Sequence, residues 1–173
     1  MNDTDAEHAG QRRAKAVAQA AALVAVAGGA LVLAAWVFDV RPLKQPFHTV
    51  ASMPANTALG LVCAGLSLWW VVKGTHTGMA AAVGVAVSLL GLVTLSQDVF
   101  GWNLGIDELL FSDENPVATS SPGRMAPAAA FSFGALGLAL AAQASRLSFW
   151  LSQAPALMAA MKPIAWLSMV VGT

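Results

Sequence analysis

Charged residues are scarce in this sequence, and their scarcity indicates the class of protein. Only 10% of the 173 residues are charged and 57% are hydrophobic, whereas an ordinary soluble domain has roughly 25% charged residues. The formal net charge is zero, so the chain as a whole has no field that would attract a polyanion. The composition indicates a chain that folds in a lipid bilayer, and we expect no nucleic-acid partner.

Cysteine and histidine are too few to build the common cofactor and metal sites. The single cysteine, Cys63, excludes an intramolecular disulfide framework. The histidines, His8, His48 and His76, form no i, i+4 pair and no cluster with other zinc ligands. A bis-histidine haem site is not expected either, because His48 and His76 lie at opposite ends of a hydrophobic run. We therefore predict no metal, no cofactor and no catalytic residue, and a chain that is not itself an enzyme.

What the sequence does contain is four long apolar stretches, at residues 16–38, 56–73, 79–97 and 126–145, in which the terminal Lys73 of the second stretch is the one charged residue. A helix rises 1.5 Å per residue, so each stretch is long enough to cross about 30 Å of hydrocarbon. Backbone groups in lipid must be hydrogen-bonded within the segment, which favours helices. The sequence predicts an all-α fold, a polytopic transmembrane helix bundle. Ionisable side chains are absent at mid-depth, which argues against a proton relay or ion carrier.

The C-terminal segment, residues 155–173, has two interpretations as a fifth helix. Ten residues remain after Pro163, and they would reach only about 15 Å. Either residues 155–173 span the bilayer with Lys162 facing protein or water, or the fifth helix is truncated. We favour truncation, so that missing C-terminal helices of the same protein would pack against those present. The predicted domains are a polar cytoplasmic tail, 1–15, and a helical membrane domain, 16–173, with an outer loop at 98–125.

The basic residues predict the orientation of these helices. A cytoplasmic N-terminus places six basic residues inside and three outside, as the positive-inside rule requires. The apolar core of the first segment is too long for a cleaved signal peptide and indicates a retained anchor. We expect a multi-pass protein of the bacterial inner membrane. The predicted inner residues are Arg12, Arg13, Lys15, Lys73, Arg146 and Lys162.

The sequence also repeats itself, since residues 53–68 align with residues 125–140. Ala58 matches Ala130 and Gly65 matches Gly137 at an offset of 72 residues, and a proline begins both segments. This pattern predicts an internal two-helix repeat. Small residues spaced four apart let helices approach closely in lipid; they predict packing inside the bundle, with a homodimer face as the alternative. The predicted helix-packing residues are Gly60, Ala64, Gly84, Ser88, Gly137 and Ala141.

The outer loop carries the candidate ligand-binding residues. Its first half is amphipathic around Asp107 and Glu108 and predicts a short helix on the outer surface, whereas residues 115–123 predict an irregular turn. A carboxylate pair beside Trp102 is able to bind a cation or a polar ligand, although such residues often only cap a helix or stay solvated. We take Trp102, Asp107, Glu108 and Arg124 as the candidate ligand-binding residues.

Three short stretches together resemble a known family. They are Pro-Ala-Asn-Thr-Ala at 54–58, Leu-Gly-Ile-Asp at 104–107 and Gly-Arg-Met-Ala-Pro at 123–127. Their order resembles the membrane-embedded N-terminal region of bacterial PAS-containing sensor histidine kinases and diguanylate cyclases. The first stretch has one extra residue, and Ala128 and Ala129 replace the polar residues common after the last proline. The resemblance implies further membrane helices followed by cytoplasmic PAS and output domains.

Two functions follow from these features. The first is a non-catalytic sensory and anchoring module of a bacterial signal-transduction protein. The second is a small accessory subunit of a larger inner-membrane complex, respiratory or photosynthetic, whose apolar surfaces pack against partner helices. The lipid bilayer is a partner in both cases.

Overall fold

A computed structural model of the protein describes residues 3–40, 53–107, 110–111, 123–146 and 149. Of these residues 82% are helical and none lies in a strand. Four helices in this part of the chain are long and apolar enough to cross a membrane, which confirms the predicted all-α bundle. The segment 155–173, considered above as a fifth helix, lies outside the described residues. The helices are α1 (Asp3–Val37), α2 (Ala55–Lys73), α3 (Thr77–Phe100) and α4 (Pro127–Arg146).

Two helices are longer than the charge gaps predict. Helix α1 already begins at Asp3, so the polar tail is the first part of the same helix. Helix α3 continues to Phe100 and ends at Gly101, whose φ of 69° is left-handed. Glycine adopts this conformation without the steric cost that a Cβ brings. As a result Asp98, predicted to begin the outer loop, lies in the last turn of α3.

Helices α2 and α3 are joined by a three-residue turn, residues 74–76. Gly74 adopts a left-handed conformation with φ of 68°, its N–H donates to the Val71 carbonyl at 3.2 Å, and the Thr75 N–H donates to the Trp70 carbonyl at 3.1 Å. These bonds satisfy carbonyls that would otherwise be free at the end of α2. So short a turn makes α2 and α3 antiparallel neighbours. We use "loop end" for the opposite end of the bundle, where α3 ends and α4 begins.

Helices α1 and α2 cross where two glycines leave room for the backbone of the partner helix. A methyl group on Gly65 would lie 2.9 Å from the Ala22 carbonyl oxygen and 3.1 Å from the Val26 nitrogen. A methyl group on Gly29 would lie 2.7 Å from the Ala58 carbonyl oxygen. These separations are below van der Waals contact, so the two backbones pass as closely as glycine allows.

Helices α3 and α4 cross in the same way. A methyl group on Gly137 would lie 2.6 Å from the Gly84 carbonyl oxygen and would also clash with the Ser88 nitrogen. A methyl group on Gly91 would lie 2.5 Å from the Gly134 nitrogen. In addition, the Ser88 hydroxyl donates to the Gly134 carbonyl at 2.9 Å, as polar side chains between membrane helices commonly do.

The two crossings use equivalent positions of the repeat. Positions 58, 62 and 65 of α2 correspond to 130, 134 and 137 of α4 at the offset of 72 residues already visible in the sequence. Positions 22, 26 and 29 of α1 correspond to 84, 88 and 91 of α3 at an offset of 62 residues. The hairpin of α1 and α2 and the hairpin of α3 and α4 are therefore built on one contact pattern.

The predicted helix-packing residues lie at or beside these crossings. Gly84 and Ser88 of α3 lie against Gly137 and Ala141 of α4. A methyl group on Gly60 of α2 would lie 3.3 Å from the Phe133 ring of α4. Ala64 is buried in the central apolar cluster. The residues of that cluster are Ala64, Val87, Met125, Ala130, Phe133 and Leu140.

Candidate functional site

Polar side chains from separate parts of the chain meet at the loop end of the bundle. In a protein with so few charges, this concentration makes the loop end the candidate functional site. We call these residues the loop-end cluster. Its members are Asn56, Gln97, Asp98, Asp107 and Arg124.

An ion pair lies at the centre of the loop-end cluster. The Arg124 Nε donates to Asp107 Oδ2 at 2.8 Å, and the Arg124 Nη1 donates to Asp98 Oδ1 at 3.3 Å. Side-chain exposure is 12% for Arg124, 8% for Asp107 and 23% for Asp98, so the shorter pair is also the more buried one. The hydrogen bond to Asp107 raises the pKa of Arg124 above its ordinary value, and burial opposes this effect. Arg124 therefore stays charged and links the start of α4 to the loop and to α3.

Gln97 joins the same carboxylate from the last turns of α3. It is fully buried; its Nε2 donates to Asp107 Oδ1 at 3.2 Å, and its Oε1 accepts the Leu104 N–H at 2.7 Å. Both ends of the amide are thus used, one on the loop backbone and one on the loop carboxylate. With both oxygens of Asp107 hydrogen-bonded, the carboxylate is held in a single orientation.

Asn56 holds the loop from the first turn of α2. Its Nδ2 donates to the carbonyl of Ile106 at 2.7 Å and to the carbonyl of Asp107 at 3.0 Å. Asn56 does not cap its own helix, because the N-cap residue of α2 is Pro54, without a side-chain cap hydrogen bond. The Asn56 amide instead donates to the neighbouring loop, because the carbonyls of Ile106 and Asp107 are not in a helix and so accept no helical backbone hydrogen bond.

The loop backbone turns inward instead of forming the expected surface helix. No helix is present between residues 101 and 107, where Gly101 and Gly105 both have φ of 69°. The Gly105 N–H donates to the Asn103 side chain at 2.9 Å, which tightens the turn. The helix prediction fails over these residues because the bonds from Asn56, Gln97 and Arg124 draw Asp107 towards the helix ends, whereas an amphipathic surface helix would leave it in solvent.

The aromatic residues at this end have separate partners. The Trp36 Nε1 of α1 donates to the Met53 carbonyl at 3.0 Å, and its ring lies 5.6 Å from the Phe111 ring. Trp102 is 50% exposed, with its ring 5.2 Å from that of Phe100, and it takes no part in the loop-end cluster. Among the candidate ligand-binding residues, then, the structure pairs Asp107 with Arg124 and leaves Trp102 on the surface, and Glu108 lies outside the described residues.

The interactions of the loop-end cluster attach the loop to the helix ends. Two carboxylates face one guanidinium, and the second oxygen of Asp98 is buried without a hydrogen-bond partner among the described residues. No group of three or more His, Cys, Asp or Glu residues in the described ranges is placed to hold a metal ion. The bonds run from α2, α3 and the start of α4 onto residues 104–107, so the loop is fastened to three helices at once.

The sequence pointed to part of this arrangement. The three stretches that carry the family resemblance supply Asn56, Asp107 and Arg124, and the structure brings these residues together. Gln97 and Asp98 were missed as members of the cluster. The available signal was an amide and a carboxylate side by side at the end of a long apolar run, where a polar residue needs either solvent or a partner.

Replacing Asn56 with alanine should lower the free energy of unfolding by about 2 kcal/mol, because two loop carbonyls lose their shared donor in a buried setting. We would measure unfolding of the purified protein in mixed micelles by titration with denaturing detergent. Asn103→Ala is the matched control, since Asn103 is exposed and its side chain accepts a hydrogen bond from Gly105 of the same loop. Equal stabilities for the two variants would contradict the role given to Asn56.

Comparison with family models, curated proteins and solved structures found no match to this chain. The resemblance to sensor regions thus rests on the three short stretches themselves.

Proposed function

We propose that this chain is the membrane-embedded sensory and anchoring module of a bacterial signal-transduction protein. The observation that carries the proposal is the fastening of the outer loop by buried polar bonds. Asn56, Gln97 and Arg124 each hold the segment around Asp107 from a different helix or helix start. A change in the conformation of the loop therefore affects the ends of α2, α3 and α4 together.

The loop-end cluster supplies the two states that a sensor needs. In one state Arg124 is paired with Asp107; in the other a ligand that competes for either group has released the loop. A ligand shifts such an equilibrium only by its difference in affinity for the two states. A small anion competing for Arg124, or a cation competing for Asp107, meets this condition. Of the four predicted ligand-binding residues, Asp107 and Arg124 have this role in the proposal, and the roles of Trp102 and Glu108 stay predictions from the sequence.

Helices carry the change across the membrane. Helices α2 and α3 start or end at the loop-end cluster and meet again at the turn of residues 74–76, on the other side. With the N-terminus in the cytoplasm, that turn faces the cytoplasm, and the loop-end cluster faces the outside of the inner membrane. The module itself catalyses nothing, and it acts by biasing helix packing towards an output domain.

Releasing the loop should move the far ends of the helices. We would attach spin labels at Lys15→Cys and Thr75→Cys, both exposed positions, in a Cys63→Ala background of the full chain. Arg124→Gln should shift the distance between the labels by about 2 Å, the size of helix displacements in known switches. Asn103→Ala is the control and should leave the distance unchanged. An unaltered distance in Arg124→Gln would overturn the proposed function.

A further inference from the structure

We propose that basic residues at the turn end of the bundle bind the phosphate headgroups of anionic lipids. The turn end is the end at which residues 74–76 join α2 to α3, opposite the loop end. This inference is separate from the proposed function, because it rests on residues at the other end of the helices from the loop-end cluster. We call these residues the basic belt. Its members are Arg12, Arg13, Lys15, Lys73 and Arg146.

The crossing of α1 and α2 brings Lys15 level with Lys73. The two helices are antiparallel, and Gly65 of α2 lies against Ala22 and Val26 of α1. Lys73 follows Gly65 by eight residues, and the positions eight residues before Ala22 and Val26 are 14 and 18. Lys15 lies between these two positions, and both lysines are exposed. The two lysines therefore lie at the same level of the bundle.

The crossing of α3 and α4 brings Arg146 to the same level. Gly137 of α4 lies against Gly84 and Ser88 of the antiparallel α3. Arg146 follows Gly137 by nine residues, and the positions nine residues before Gly84 and Ser88 are 75 and 79, in the turn and at the start of α3. Lys73 is the last residue of α2 before this turn, and Arg146 is exposed. Basic side chains from α1, α2 and α4 thus share one level of the bundle.

Arg12 and Arg13 extend the basic belt along α1. They lie within three residues of Lys15 on a helix that continues back to Asp3, which places them within about 4.5 Å of Lys15 along the helix axis. Both are exposed, and side chains as long as arginine reach across such a distance to a headgroup layer. The nearest acidic residue of α1 is Glu7, about 7.5 Å further along the axis from Arg12. Positive and negative charges on α1 are therefore separated, with the positive ones nearer the membrane-spanning part.

The basic belt has no carboxylate partner within the described ranges. None of its five residues forms an ion pair there, whereas Arg124 at the loop end faces two carboxylates. The Lys73 ammonium lies 4.5 Å from the centroid of the Trp69 ring, and this contact positions the charge without neutralising it. Residues 147–173 contain no Asp or Glu, so they supply no side-chain carboxylate either. The positive charge of the belt therefore needs an anion from outside the chain.

An anionic lipid headgroup is the anion that fits this arrangement. The basic belt lies where the apolar spans end, and Trp69 and Trp70 lie about one turn deeper on α2, at the depth where indole rings favour the membrane interface. Its charges are spread over three helices at one level, which matches a layer of lipid phosphates around the bundle better than a single soluble anion. Each lysine or arginine near an anionic membrane surface favours binding by a factor of about five.

The test measures which lipid lies next to the turn end. The full chain, with a fluorophore on Thr75→Cys in a Cys63→Ala background, is placed in phosphatidylcholine liposomes that contain nitroxide-labelled phosphatidylglycerol or, at the same mole fraction, nitroxide-labelled phosphatidylcholine. Thr75 is an exposed residue of the turn, and both leaflets have the same composition, so the direction of insertion does not affect the result. Phosphatidylglycerol should quench the fluorophore more strongly, and added sodium chloride should weaken this preference by screening the charges. A fluorophore on Asn103→Cys, at the loop end, should show no preference, because Arg124 is already paired there.

Charge substitutions identify the residues that hold the lipid. Lys73→Gln should lower the preference for phosphatidylglycerol about fivefold, whereas Lys73→Arg should keep it because the charge remains. The triple variant Lys15→Gln, Lys73→Gln, Arg146→Gln should lose most of the preference, and its helix content, measured by circular dichroism, should be unchanged because all three residues are exposed. Inorganic phosphate at matched ionic strength should not displace the lipid.

Three results would overturn the proposal. They are equal quenching by the two lipids at position 75, a preference that survives the triple variant, and displacement of phosphatidylglycerol by inorganic phosphate. The first would leave an acidic protein segment as the occupant of the basic belt, and the last would assign the belt to soluble phosphate.

Discussion

Gly91→Ala should destabilise the protein by about 3 kcal/mol, although it adds only one methyl group and removes a helix-disfavouring glycine. That methyl group would lie 2.5 Å from the Gly134 nitrogen and 3.0 Å from the Phe133 carbonyl carbon, and it would clash with the Ala130 carbonyl oxygen. Every one of these atoms is backbone, so no side-chain rotation relieves the overlap. Helices α3 and α4 would have to separate, which also stretches the hydrogen bond from Ser88.

The control for this prediction lies on the same helix. Gly78→Ala places its methyl group where nothing lies within 4 Å, so only the helix preference acts, and the protein should gain up to about 1 kcal/mol. Both variants would be unfolded in mixed micelles by denaturing detergent and followed by circular dichroism. The effects should have opposite signs. A stabilising Gly91→Ala would refute the close crossing of α3 and α4.

Asp107→Asn should destabilise the protein by a similar amount, about 3 kcal/mol. The substitution keeps the size of the side chain but removes its charge and one of its two acceptor oxygens, so Arg124 and Gln97 compete for a single acceptor. The one carboxylate left beside the buried Arg124 within the cluster is then Asp98, at the longer distance of 3.3 Å. Breaking a buried pair from one side costs this much because the remaining charge stays desolvated. Detergent unfolding measures the loss, and cleavage of the loop by an added protease should become faster.

Asp98→Asn is the comparison that separates the two carboxylates. Asp98 is more exposed than Asp107, and its bond to Arg124 is longer by 0.5 Å, 3.3 Å against 2.8 Å. We expect the free energy of unfolding to fall by about 1 kcal/mol, as for a partly solvated ion pair.

The double variant Asp107→Asn with Arg124→Gln should lose less stability than the sum of its single changes, by about 1–2 kcal/mol, because the two residues are coupled. Strict additivity, or equal losses at Asp98 and Asp107, would show that the pair is not the centre of the loop-end cluster.

The helices themselves could be predicted from the sequence because the bilayer imposes a simple requirement. A stretch without charge that is long enough to cross the hydrocarbon has few alternatives to a helix, since its backbone must bond within itself. The repeat was also visible, because Ala58 and Gly65 recur at Ala130 and Gly137 in a register that the contacts reproduce. Both features depend on order along the chain alone.

The tertiary structure alone decided which helix meets which, and where the loop lies. These helices are apolar on nearly every side, and lipid is as apolar as a protein core, so periodicity does not distinguish a packed face from a lipid-facing one. The burial of Gln97 and the inward turn of Asp107 follow from bonds between segments far apart in sequence. The local sequence predicted the helices. The packing of their backbones against one another determined which polar residues are buried between them.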